Sequence, residues 1–252
     1  MKILFMGTGA DDYKIKERKD GEFFRRNSTA LINDDLMVDC SSQVQDFTNE
    51  NPTDLSRVEN VLLTHSHSDH YSPDTIKNVL KKDIRVWSEE VTEKAVVAEL
   101  DTKMSILPLY EEVTVGKYKV TAMPANHRVE NPAEHPLCYL ISDGVKRIFW
   151  GGDGSWLITD TWKLIQKYKF DLMIFDGTFG DIGGDERIFE HNSIPILKCI
   201  FEAVRNQNLL TPNGLIYITH MSKYSQLPHD ELVEKMKELG AGVTYDGFVL
   251  EI

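Results

Sequence analysis

An apolar run, VLL at 61–63, stops at Thr64, and the next six residues, HSHSDH, hold three histidines and an aspartate. This stretch constrains the chain more than any other. Side chains alternate along an extended backbone, so His65 and His67 share one face. Asp69 and His70 follow where the chain turns toward the helical pattern PDTIKNVL. A helix-capping turn needs one such aspartate, but it has no use for three imidazoles. A strand end running into a tight turn can instead aim all four side chains into one small volume. Neutral imidazole and carboxylate are the donors that Zn²⁺ and similar ions prefer.

Residues of the same chemistry close other apolar runs. His127 ends KVTAMPANH, Asp153 ends RIFWGGD and His220 ends GLIYITH. Each follows a strand-like run, so all can lie along one edge of a sheet arrangement. With His65, His67, Asp69 and His70 they form a set large enough for two divalent metal ions bridged by a carboxylate. Such a pair lowers the pKa of bridging water and clamps the attacking and leaving oxygens of a displacement. His135, in AEHPLCYLI, competes with His127 for the third position of this set; His127 is preferred because it ends its run directly.

The rest of the chain frames that cluster. Strand-like runs rich in Val, Ile, Phe and Tyr include KILFMG, TALIN, LMVDC, NVLLTH, IRVWS, EEVTVGKYKVTAMPAN, LCYLISDG, VKRIFWGG, FDLMIFDGTF, GLIYITH and FVLEI. Helical patterns fall between them at PDTIKNVLKK, EVTEKAVVAEL, DTWKLIQKY, IPILKCIFEAVRNQ and HDELVEKMKEL. Hairpin-like strands dominate the first third, and strand and helix alternate in the second half. This is the pattern of layered sheets with helices outside, an α+β fold, rather than a doubly wound one. GTGAD after the first run lacks the later glycine and helix start of a dinucleotide fingerprint and reads as a tight turn. The charged stretch ADDYKIKERKDGEFFRRNS has no period and reads as a surface loop.

Lengths and charges narrow the partners. A chain of 252 residues, 41% hydrophobic, suits one domain over 1–252 with a substantial core. A formal net charge of −12 is at odds with the broad basic face of a long-nucleic-acid binder. Cys40, Cys138 and Cys199 are scattered with no CxxC pair, which suits a reducing cytoplasm rather than a disulfide framework. The N-terminal run is too short for a secretory signal, and no apolar segment nears the roughly 20 residues a membrane helix needs. No membrane partner is expected.

The motif THSHSDH resembles the HxHxDH signature of the metallo-β-lactamase superfamily, and the order His127, Asp153, His220 is similar to that superfamily's later metal motifs. The resemblance runs from MGTG to the C-terminal THMS. It implies an αβ/βα four-layer sandwich, two mixed sheets flanked by helices, with a dinuclear site at one edge. It further implies that His65, His67 and His127 hold one ion, that Asp69, His70 and His220 hold the other, and that Asp153 bridges them. Asp39 in MVDC then orients a ligating histidine by hydrogen bonding. The ions implied are Zn or Mn, with Fe suiting the same donors. Homodimers are common among proteins of this kind.

FDGTF, followed by EHNSI, resembles the paired acid–aromatic and His-Ser elements of ribonuclease Z and of the phosphoribosyl cyclic phosphate phosphodiesterases. By that resemblance His191 donates a proton to the leaving oxygen or stabilises phosphate charge, and Asp176 orients it. Asp69 is implied both as ligand and as proton acceptor, and the reaction as attack of a metal-bridging hydroxide on a small, even cyclic, phosphodiester. RRNST is similar to the N-terminal segment of these phosphodiesterases, which marks Arg26, Asn27 and Ser28 as substrate-binding candidates. The chain lacks the basic Gly-rich arm of ribonuclease Z and the Cys-rich zinc insertion of the phosphonate-pathway enzymes. A lactonase or thioesterase using the same ions, a tRNA 3′-processing endoribonuclease and a non-catalytic metal-binding scaffold are the competing readings.

Overall fold

In the computed structural model, which describes residues 1–80, 83–97, 99–100, 103–182 and 186–252, the strand-like runs sort into two sheets. The first contains β1 (Lys2–Gly7), β2 (Thr29–Ile32), β3 (Leu36–Val38), β4 (Asn60–Leu62), β5 (Arg85–Ser88) and β6 (Lys103–Ile106). The second contains β7 (Glu112–Val115), β8 (Tyr118–Pro124), β9 (Leu137–Ser142), β10 (Arg147–Trp150), β11 (Phe170–Asp176), β12 (Leu210–Thr219) and β13 (Gly242–Val243). The last strand, β14 (Val249–Glu251), returns to the first sheet beside β1. The spatial orders are β14-β1-β2-β3-β4-β5-β6 and β13-β12-β11-β10-β9-β8-β7.

Period-two patterning explains the layering. In β1, Ile3 and Phe5 face the second sheet; in β10, Ile148 and Trp150 face back, as do Leu172 and Ile174 of β11. The alternate residues pack outward on helices. Leu31, Met37, Val61 and Val86 meet Val44 and Phe47 of α1 (Val44–Glu50), Ile76 of α2 (Pro73–Val79) and Val96 of α3 (Glu90–Val97). Phe149, Met173 and Phe175 meet Ile165 of α4 (Thr159–Ile165), Leu197 and Phe201 of α5 (Ile194–Asn206) and Leu232 of α6 (His229–Glu238). The result is the expected αβ/βα sandwich with three apolar layers.

Strand direction then fixes where function can sit. β3, β4, β5 and β6 run parallel, and β1 shares their direction because two antiparallel steps through β2 separate it from β3. In the other sheet β10, β11 and β12 are parallel, and β8 joins them through antiparallel β9. The C-terminal ends of these strands therefore gather along one edge of each sheet. The residues after β4 stitch the two edges together. Leu63 N donates to Trp87 O of the first sheet at 2.9 Å, and Leu137 N of the second donates to Thr64 O at 2.9 Å. The buried Tyr139 hydroxyl adds a bond to Leu63 O.

Three expectations change. Helix α1, and strands β6 and β13, carry weak sequence signals and were not anticipated. GTGAD is not a free tight turn: Gly7 ends β1 and Gly9 bridges both Asn27 and Met221. A Cβ on Gly7 would lie 1.9 Å from Asn27 O, so glycine is what permits this crossing. The charged stretch is a surface loop only in part, because Tyr13 and Phe24 through Ser28 are buried beneath it. The expected helical positions 81, 82 and 98 lie outside the described residues.

Phe149 is fully buried, with ring centroids 5.5 Å from Phe175 and 6.1 Å from Phe170. Phe149→Ala should lower unfolding free energy by about 3–5 kcal/mol through lost transfer energy and a cavity, read as a shift in denaturant midpoint at unchanged slope.

Candidate metal centre

Seven ligand-type residues singled out in the sequence lie in the segments that follow strand ends on the common edge, and they converge. His65, His67 and His127 bring ring nitrogens within 4.8 Å of one another, and so do Asp69, His70, Asp153 and His220 with their own donor atoms. Asp153 Oδ2 stands between the groups, 3.1 Å from His70 Nε2, 3.2 Å from His220 Nε2, 3.9 Å from His65 Nε2 and 4.0 Å from His127 Nε2. Asp69 Oδ2 lies 3.2 Å from His220 Nε2. His127, not His135, joins the cluster; the His135 side chain is half exposed and lies 4.0 Å from Glu89.

The surrounding hydrogen bonds fix which ring nitrogens face inward. Asp39, just beyond β3, accepts from His70 Nδ1 at 2.7 Å, from Thr64 N at 2.8 Å and from the Thr64 hydroxyl at 2.9 Å. With its only proton given to Asp39, the Thr64 oxygen can only accept from His65 Nδ1, 3.0 Å away. The Thr178 hydroxyl donates to His220 O at 2.9 Å, so its oxygen accepts from His220 Nδ1 at 2.8 Å. His65, His70 and His220 are thereby held with Nδ1 as donor and Nε2 turned toward Asp153. His70 Nε2 and Asp153 Oδ1 are buried without a hydrogen-bond partner. Buried polar atoms are almost always paired. Converging imidazole Nε2 atoms, two carboxylates and two unpartnered buried atoms are the donor chemistry a divalent cation satisfies, and the residues fit such a group.

The charges tell the same story. Burial alone raises the Asp69 carboxyl, but His70 and His220 outweigh it and bring it to about 2. Burial raises Asp153 too, and His220 and His70 again carry it well below the usual carboxylate range. Burial lowers His220, yet Asp153, Asp69 and Asp176 lift it to about 9. His127 has less acid around it, and burial brings it down to about 4.

Beside the cluster, His191 Nδ1 lies 2.6 Å from Asp176 Oδ2 and its ring stacks on His220 at 5.4 Å and 10°. Asp176, at the end of β11, also accepts backbone N–H groups of Gly154, Thr178 and Asn192. Burial pulls the His191 imidazolium down, but Asp176 more than offsets this and its pKa ends above the ordinary value. With Nδ1 committed to Asp176, Nε2 is the nitrogen left to serve the cleft.

The cleft over the cluster has a volume of about 710 Å³ and is walled by the 10–14 segment, Ser66–Asp69, Glu130, Phe179 and the Arg187–His191 turn. Asp11, Asp12, Glu130 and Glu190 line it against Lys14 and Arg187. Arg26, Asn27 and Ser28 do not line it. The Arg26 guanidinium is buried against Asp46 at 2.6 Å, Glu50 at 2.7 Å and Asp246 at 3.3 Å, and Asn27 is tied to Gln43 and Ala10. The expected substrate-holding role thus has no contact with this cleft to support it, and Arg26 and Asn27 pack the segment beneath the cleft wall. Sequence reasoning missed Thr64 and Thr178, although both stand inside the motifs it quoted.

Comparisons with known proteins agree with this geometry. Residues 35–243 match the family described as "Beta-lactamase superfamily domain", and the chain belongs to that superfamily of metal-dependent hydrolases. No curated protein sequence is significantly similar to it. Among solved structures, Zn²⁺-bound PqqB from Methylobacterium extorquens superposes with a TM-score of 0.78 at 16% identity, over 100% of both chains. A diphosphatase of the PhnP family gives 0.74 at 15% identity, covering 100% of this chain and 96% of its own. Human tRNase Z, short form, gives 0.70 at 15% identity over 100% and 99%. No helix among the described residues is long and apolar enough to cross a membrane.

Asp39→Ala removes the acceptor that sets the His70 and Thr64 orientations. It should weaken metal uptake by about 10–100-fold, read by chelator competition on folded protein with unchanged circular dichroism.

Proposed function

We propose that the protein hydrolyses a small phosphodiester, cyclic ones included, with two divalent cations, Zn, Mn or Fe. His65, His67 and His127 would hold one cation and Asp69, His70 and His220 the other, with Asp153 shared. When bound, the cations supply Lewis-acid polarisation of the phosphoryl group and a lowered pKa for attacking water. Asp69, kept ionised by His70 and His220, would accept the proton of the attacking water. His191, held by Asp176, gives a proton from Nε2 to the departing oxygen or binds the charge growing on the phosphoryl oxygens.

The observation that carries this reading is the His191–Asp176 pair, 2.6 Å apart and stacked against His220 at the cluster's edge. An alkoxide leaving phosphorus is a poor leaving group, and this pair would supply the proton it needs. The neighbours named a diphosphatase and a tRNase Z support phosphoryl rather than acyl chemistry. The acid-lined cleft argues against transfer RNA as substrate, because a polyanion needs cationic contacts along its backbone. A soluble, single-domain protein acting in the cytoplasm fits this reading.

His191→Ala should keep its metals and lose about 10²–10⁴ in rate on a phosphodiester with an alkoxide leaving group, with a smaller loss on bis(p-nitrophenyl) phosphate, whereas His67→Ala should lose metal and activity together. Full activity in metal-stripped protein, or faster turnover of an acyl-lactone in a side-by-side assay, would overturn the proposal. The acid form of His191 persists up to its raised pKa and is lost as pH climbs through it. Asp176→Asn removes the charge that raises it, so the alkaline limb of the pH–rate profile should move to lower pH.

A further inference from the structure

Glu134 is a buried carboxylate, 6% exposed, that the chemistry above does not use. Both of its oxygens are spent on one residue: Ser66 N donates to Oε1 at 2.8 Å and the Ser66 hydroxyl donates to Oε2 at 2.8 Å. Ser66 is the residue between His65 and His67. Among the described residues no Lys, Arg or His forms an ion pair with Glu134. Burying an anion without a cationic partner is costly, and stability alone is served better by an apolar side chain of similar volume.

Glu134 belongs to the segment that carries His127. That segment leaves β8, is closed at its base by Ala125 N donating to Pro136 O at 2.7 Å, and re-enters the sheet at β9. It is braced internally by Glu134 N donating to Asn131 O at 3.0 Å and by the buried Val129. His127 Nε2 lies 3.3 Å from His67 Nδ1, and His67 Nδ1 lies 3.0 Å from His65 Nε2. The three imidazoles thus come from two loops in different sheets, and the Glu134–Ser66 clamp joins those loops within one residue of His65 and His67.

We propose that Glu134 is a positioning residue for the cation held by His65, His67 and His127. It fixes the HSH backbone against the His127 segment, on the side of the cluster whose own ligands are three imidazoles and whose one carboxylate, Asp153, is shared with the other group. The other group, Asp69, His70, Asp153 and His220, contains its own carboxylates and does not depend on it. The inference rests on the two-cation reading given above.

The test is equilibrium metal binding, independent of any substrate. Zn²⁺ or Co²⁺ is titrated into metal-stripped wild-type, Glu134→Gln and Ser66→Ala proteins against a chromophoric chelator, with cobalt absorption bands reporting each site. Wild type should take up two ions. Glu134→Gln, nearly the same size, should bind one ion with wild-type affinity and the second about 10–100-fold more weakly. Ser66→Ala keeps the backbone N–H bond and should lose less, and the double variant should be no worse than Glu134→Gln. Two ions bound with wild-type affinity by Glu134→Gln, or equal weakening of both sites, would overturn the proposal alone. A Ser66→Ala loss as large as that of Glu134→Gln would also overturn it, since the charge would then carry nothing. Wild-type protein that takes up neither ion would overturn the metal-centre reading itself.

Discussion

One carboxylate sets the terms for the whole edge. Asp153 is 3% exposed and faces Nε2 of four histidines brought from three strand ends and two sheets. A buried carboxylate survives only with compensation, so these side chains must arrive together. That requirement fixes the relative position of the two sheets, and the apolar layer between them has to deliver it. The chain reaches Asp153 through Gly152, at φ +61, where a Cβ would sit 2.6 Å from Leu137 O. Asp39 and His220 adopt the left-handed region as well, at φ +58 and +63. Non-glycine residues pay about 1–3 kcal/mol each for this, and here a dense set of hydrogen bonds around both residues holds them in place.

Much of this was legible because strand identity and strand ends are local properties. FDLMIFD shows its alternation in seven letters, and Asp176 is visible at its end. HSHSDH shows its chemistry without any knowledge of partners. What escaped was either weak or distant. Helix α1 buries only Val44 and Phe47 among polar residues, so its period is hard to see. Strand β6 reads KMSI, with a single β-branched residue. Arg26 looks like a free phosphate-binding cation until Asp46, Glu50 and Asp246 are found around it, the last of them 220 residues along the chain. The Glu134–Ser66 clamp spans 68 residues and joins two motifs whose separate meanings gave no hint of it.

The protein's acidity and the anionic substrate proposed for it are reconciled by position. Net charge is −12, and even the cleft lining carries more carboxylates than cations. Of those carboxylates, Asp12 is occupied by Ser222, Lys223 N and Tyr224 N, and Asp11 by Lys14. On the proposed reading, attraction for a phosphoryl group would therefore be concentrated at the cluster itself, where bound cations would add their charge to that of Lys14 and Arg187 in the lining. Such an arrangement favours a compact anion that fits beside His191 and disfavours a long one whose further charges must lie along the rim.

His220 touches both halves of the site. Its Nε2 faces Asp69 and Asp153, and its Nδ1 donates to Thr178, whose oxygen also lies 3.2 Å from His191 Nδ1. The Thr178 proton is committed to the His220 carbonyl, so this hydroxyl cannot donate to either ring. Both histidines must then carry a proton on Nδ1: His220 to satisfy Thr178, His191 to satisfy Asp176. The same network turns Nε2 of His220 toward Asp69 and Asp153 and leaves Nε2 as the nitrogen of His191 that Asp176 does not engage. The orientations of both rings are thus set by one threonine, one aspartate and the backbone that joins β11 to β12.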